Sequence, residues 1–142
     1  MKPIIETIEF HGIEALRLHG PRGSSAVISQ LGAQVLSWNT PDGRERLFLS
    51  ERAVFDGSVA IRGGIPVCFP QFAGLGDLPK HGFVRTREWS VATQRCADDY
   101  ALATLEIADD VETRALWPHP FRAEITVMLE VDRIDVELCV VN

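Results

Sequence analysis

At 142 residues the chain is long enough for one domain with its own core and too short for two of ordinary size. Its 46% hydrophobic and 24% charged residues form a globular balance that excludes extended disorder. A net charge of −6 argues against a non-specific nucleic-acid binder, so any anion-binding role needs a local basic pocket.

The N-terminal Met-Lys-Pro-Ile-Ile-Glu has no long apolar region and is not a signal peptide. Period-2 hydrophobic patterns then recur, and helical periodicity is hard to find. Ile4–Phe10 and Ile13–His19 are expected as strands around a break at His11-Gly12. Gly20–Ser25 reads as a loop. Ala26–Leu31 and Gln34–Trp38 flank Gly32-Ala33, where the glycine predicts a bulge or bend. Thr40-Pro-Asp-Gly43 is a strong turn signal, and Arg46–Ser50 is expected to return as a strand. Glu51–Gly57 fits either a helical turn or a loop.

Beyond the central stretch, residues 62–85, Trp89–Thr93 and Tyr100–Ile107 read as strands, and Asp109-Asp110 as turn or solvated charges. Trp117-Pro-His-Pro-Phe121 is a rigid extended connector, because each proline fixes its own φ and restricts the residue before it. Ala123, Ile125, Val127, Leu129 and Val131 then alternate with polar residues. After Asp132-Arg133, Ile134, Val136, Leu138 and Val140 do the same, which predicts an antiparallel hairpin with one wet face. The whole reads as an all-β antiparallel sandwich occupying one domain, 1–142.

Cys68, Cys96 and Cys139 form no CxxC pair. Cys68 and Cys139 lie in apolar runs and are expected to be buried, reduced thiols. With no run long enough to span a membrane, the reading is a soluble cytoplasmic protein. No His/Cys/Asp/Glu spacing suggests a metal site, and no cofactor motif is present.

Between Arg62 and Arg85 the chain concentrates polar chemistry among glycines and prolines. Arg62, Gln71, Lys80, His81 and Arg85 lie between apolar anchors such as Ile65, Val67, Phe69 and Phe83. Each polar residue has a bland reading, as an exposed arginine or an idle loop histidine. Their clustering favours a binding loop, with arginine forks for sugar or phosphate oxygens and a histidine that can hydrogen-bond a neutral oxygen. His119, between two prolines, reads as structural. Composition and spacing define no reaction.

Ile61-Arg-Gly-Gly-Ile-Pro-Val-Cys-Phe-Pro-Gln-Phe72 and Leu78-Pro-Lys-His-Gly-Phe-Val-Arg85 strongly resemble the hexose-6-phosphate 1-epimerase branch of the aldose 1-epimerase (galactose mutarotase-like) family. Leu31–Trp38, Leu47–Ser50 and Trp117–Phe121 support the resemblance in the same order. It implies a galactose mutarotase-like β-sandwich with a sugar cleft, and interconversion of the α and β anomers of an aldose 6-phosphate such as glucose 6-phosphate. One group takes the C1 hydroxyl proton while another protonates the ring oxygen; no metal or cofactor is needed. It implies substrate binding by Arg62, His81 and Arg85, with Gln71 and Lys80 as weaker candidates. The family's catalytic histidine lies in a later Leu-His-Thr-Tyr-Phe-like motif and its base glutamate near the C-terminus. Neither motif is present, so the chain resembles the N-terminal half only, and no catalytic residue is expected in it. The alternatives are a non-catalytic carbohydrate-binding module or an inactive fragment. Half a sandwich is expected to be incomplete. It predicts poor stability, self-association through exposed sheet edges, or dependence on a second chain.

Overall fold

The computed structural model describes residues 2–142. Eight strands form two four-stranded antiparallel sheets. The first contains β1 (Ile4–Phe10), β2 (Ile13–His19), β3 (Ser25–Ser29) and β4 (Val35–Asn39), in that order. The second contains β5 (Ser90–Cys96), β6 (Ala101–Ala108), β7 (Arg122–Leu129) and β8 (Ile134–Val141). Both are meanders, so every pair is a sequence neighbour. No described helix is long and apolar enough to cross a membrane.

The β1–β2 hairpin follows from its two-residue turn. His11 and Gly12 both take positive φ (49° and 85°), the conformation whose twist matches that of the flanking strands. It sets Phe10 opposite Ile13 and Ile4 opposite His19. In the second sheet, β6 and β7 alternate strictly: Ala101, Ala103, Leu105, Ala123, Ile125, Val127 and Leu129 are buried. They share one core with Leu16, Leu18, Ala26, Ile28 and Val35 of the first sheet. Phe83, Val84, Trp89 and Phe121 lie in that core too. Trp89 is 2% exposed, and its indole N–H donates to the Val84 carbonyl at 3.0 Å, so a buried polar atom is satisfied where the central stretch meets the second sheet.

Several expectations are corrected. Arg46–Ser50 is not a strand. Glu45 and Leu49 make only isolated bridges, to Asn39 and Gly63, because no continuous partner lies alongside. Of the two readings of Glu51–Gly57, the loop is the one that forms. The acidic pair before residue 111 starts a helix, α1 (Val111–Leu116). Asp110 accepts the Thr113 N–H (2.8 Å) and Thr113 Oγ1 accepts the Asp110 N–H (2.9 Å), a reciprocal cap. The capped turn lowers the Asp110 pKa, mainly through the Thr113 N–H.

The last hairpin forms as expected, with Leu129 opposite Ile134 and Ala123 opposite Val140. Its burial differs. Val136, Leu138 and Val140 share the face of the buried β7 stripe by register, yet are 36%, 44% and 42% exposed. They are left largely open, with Val140 bordering Phe69, Trp117 and His119 only across a concavity. Contrary to expectation Cys139 is exposed, because it points to the opposite, wet face of β8 with Asp135 and Glu137, and Cys68 is only half-buried; both are free thiols, as is Cys96. The sandwich is incomplete at this edge.

Candidate functional site

Residues 70–81 form a closed loop whose two ends are tied together. The Phe69 N–H donates to the His81 carbonyl (3.2 Å), and the Phe83 N–H returns to the Phe69 carbonyl (3.0 Å). Gly82 makes this closure sterically feasible. Its φ is +78°, and a Cβ there would lie 2.0 Å from the Phe69 oxygen. The stem is fixed on one side by the Phe69 ring, 5.3 Å from Phe121 and 5.7 Å from Trp117. Buried Phe83 and Val84 fix the other.

Inside the loop, Gln71 acts as a staple. Its Nε2 donates to the carbonyls of Ala73 (2.8 Å) and Leu78 (3.1 Å), while its Oε1 accepts the Leu78 N–H (3.0 Å). Gln71 therefore spends both ends of its amide on the loop itself. His81 is held as firmly. Its backbone takes positive φ (65°), and the Ala73 N–H donates to its Nδ1 at 2.9 Å. An accepting Nδ1 carries a lone pair, so the neutral ring bears its proton on Nε2. Burial first, and then the positive charges of Arg85 and Lys80, lower the His81 pKa below the usual imidazole value. The ring is thus a neutral N–H donor beside two cations.

Arg85, half-buried on the 3-10 turn Val84–Thr86, donates from Nη2 to the Lys80 carbonyl (3.1 Å). Neither Arg85 nor Lys80 has a carboxylate partner among the described residues, whereas nearby Arg87 is neutralised by Asp110 (3.6 Å) and Glu112 (3.2 Å). The loop therefore brings Gln71, Lys80, His81 and Arg85 together.

Arg62 stands on a different segment. It is exposed, with no side-chain partner among the described residues, and no hydrogen bond joins it to the loop. Its backbone is pinned: the Ser50 N–H donates to the Arg62 carbonyl (2.9 Å), and Gly64 and Ile65 donate to Phe48 (2.8 Å) and Val35 (2.9 Å).

Two open concavities border the loop. One, about 490 Å³, is lined by Gln71, Phe72, Leu75, Leu78, Leu116 and Trp117 among others. The other, about 370 Å³, is lined by Phe69, Trp117, His119, Val140 and Asn142. His119 is exposed and its ring meets the edge of Trp117 at 4.7 Å. Its expected part is structural. Nothing local in Trp-Pro-His-Pro signals that it borders the mouth where Phe69 and the end of β8 converge.

The sequence profile of aldose 1-epimerase matches residues 14–142. The chain belongs to the aldose 1-epimerase family. Curated relatives of this epimerase-family chain include "Putative glucose-6-phosphate 1-epimerase" of Cenchrus ciliaris, 40% identical over 123 residues that cover 83% of this chain and 37% of the relative. The protein of the same name from Escherichia coli K12 is 33% identical over 123 residues, 85% of this chain and 42% of the relative. Among solved structures, a "putative mutarotase" of Salmonella typhimurium superposes with a TM-score of 0.83 at 28% identity, covering 96% of this chain and 47% of that one. Galactose 1-epimerase of Lactobacillus acidophilus shares the fold, with a TM-score of 0.72 at 16% identity, over 99% of this chain and 49% of its own. The epimerase-family chain spans less than half the length of these curated relatives. Its uncovered β8 face and open concavities lie on a galactose mutarotase-like framework.

Proposed function

We propose that this chain forms one wall of the sugar cleft of a hexose-6-phosphate 1-epimerase. The observation that carries the reading is His81. A backbone N–H on Nδ1 fixes the ring as a neutral Nε2–H donor, and Arg85 and Lys80 stand close enough to lower its pKa. A neutral donor suits an uncharged hydroxyl or ring oxygen, and adjacent unpaired cations suit a phosphate. Arg62, Lys80 and Arg85 hold the phosphate and hydroxyl oxygens. His81 donates to an oxygen near C1, and Gln71 keeps the loop in shape.

Anomer exchange then needs a base to take the C1 hydroxyl proton and an acid to protonate the ring oxygen. The ring opens to the aldehyde, the C1–C2 bond turns, and the ring closes on the opposite face. A lowered pKa makes His81 a poor proton donor to the ring oxygen at neutral pH, so its part is binding. The acid and base belong to family motifs that these 142 residues do not contain.

Titration calorimetry and NMR saturation transfer between the anomers of glucose 6-phosphate test this together. Saturable binding by this chain is expected, with exchange accelerated only when the remaining family domain is supplied. Binding that never leads to exchange in the complete domain favours a non-catalytic carbohydrate-binding module. No binding overturns the reading.

A further inference from the structure

Gln34 lies just before β4 and is 0% exposed. Its Nε2 donates to two carbonyls, Ile61 at 3.0 Å and Gly63 at 2.5 Å. Because both neighbours are acceptors, the amide presents its NH2 to them, and its Oε1 is left buried with no partner among the described residues. An unpartnered buried carbonyl carries a desolvation cost that an apolar side chain of the same size would not. Filling space therefore does not explain a glutamine here.

What the amide holds does. Ile61 and Gly63 flank Arg62, and the Arg62 carbonyl between them accepts the Ser50 N–H at 2.9 Å. Three successive carbonyls are thus fixed from two sides, in a stretch that, among the described residues, pairs with its neighbours only through the isolated Leu49–Gly63 and Val35–Ile65 bridges. Gly63 and Gly64, at φ 134° and 61°, could not stiffen it by themselves. At the end of this pinned backbone the Arg62 guanidinium is exposed and, among the described residues, unpaired.

We propose that Gln34 is a positioning residue for Arg62. Its buried amide fixes the backbone so that the guanidinium meets a sugar-phosphate oxygen without first ordering the chain. The proposal rests on the sugar-phosphate reading of the site. Fixing a binding group in its bound arrangement strengthens binding by removing the ordering cost.

The test is a double-mutant cycle on glucose 6-phosphate binding with Q34M, a side chain of similar length without amide donors, and R62A. Q34M alone is expected to weaken binding roughly tenfold. In the R62A background it should change binding by less than about twofold, because its effect passes through Arg62. Amide spectra of Q34M, without ligand, should show Arg62, Gly63 and Gly64 shifted and less protected from exchange. Equal loss of binding in both backgrounds means that Gln34 acts only on general stability, which overturns the proposal alone. So do unchanged Arg62–Gly64 amides. If the wild-type chain does not bind glucose 6-phosphate, the sugar-phosphate reading fails and the proposal falls with it. Should Q34M not fold, Q34L takes its place in the same cycle.

Discussion

Gly82→Ala is the most informative single change, because its cost can be worked out from two separate sources. Gly82 has φ +78°, where an alanine costs about 1 kcal/mol. Its Cβ would also stand 2.0 Å from the Phe69 oxygen and 2.7 Å from the Pro70 nitrogen, both backbone atoms that cannot swing aside. Relieving that overlap parts the closure, which is made by Phe69 N–H to His81 (3.2 Å), Gly82 N–H to Pro79 (2.9 Å) and Phe83 N–H to Phe69 (3.0 Å). Losing two of these bonds costs about 2 kcal/mol more, for a total of about 3 kcal/mol. Gly12→Ala isolates the first source, since Gly12 has φ +85° and nothing within 4 Å of its added Cβ. Its expected cost is about 1 kcal/mol. At about 4 °C per kcal/mol for a chain of this length, G82A should melt about 8 °C below G12A by circular dichroism. A G82A melt within about 2 °C of G12A would refute the claim that this contact closes the loop.

Other outcomes follow from the same geometry. Arg62→Ala is expected to weaken glucose 6-phosphate binding about tenfold or more by calorimetry while leaving the melting temperature within about 2 °C, because the side chain is exposed and unpaired. His81 should titrate below an ordinary histidine by NMR, with its neutral proton on Nε2. Since its folded pKa is lowered, the unfolded chain binds the proton more readily. The stability it contributes is complete above the ordinary imidazole pKa and is lost as pH falls through the lowered one. A midpoint at or above the ordinary value contradicts this. Leu138→Glu on the uncovered β8 face should leave stability within about 0.5 kcal/mol and reduce self-association in sedimentation velocity. Ile125→Ala, opposite it in register but 2% exposed, should cost about 2–5 kcal/mol.

Much of the fold was legible because its signals are local. His11-Gly12 and Asp132-Arg133 sit between period-2 runs, and both hairpins form where the pattern breaks. Arg46–Ser50 looked equally strand-like, but a strand needs a partner, and the partner segment runs through Gly63 and Gly64, which break the ladder into isolated bridges. The six-residue α1 is too short to show periodicity; its one readable sign was Asp110 three residues before Thr113. The exposure of Val136, Leu138 and Val140 was hidden because alternation says which residues share a face, not whether anything covers it. In the site, motif residues were visible by type, while the parts played by Gln71 and Gln34 were not. A glutamine that staples a loop and one that reaches for a ligand look the same until their hydrogen bonds are known.

On the proposed function, the segment from Arg62 to Arg85 grips a sugar phosphate. An amide-resolved NMR titration of this chain with glucose 6-phosphate, run beside glucose and inorganic phosphate, tests it most directly. Saturating shifts at Arg62, Ala73, His81 and Arg85, stronger with the sugar phosphate than with either part alone, are the expected result. Shifts absent there, or confined to the polar edge strand β5, would contradict it.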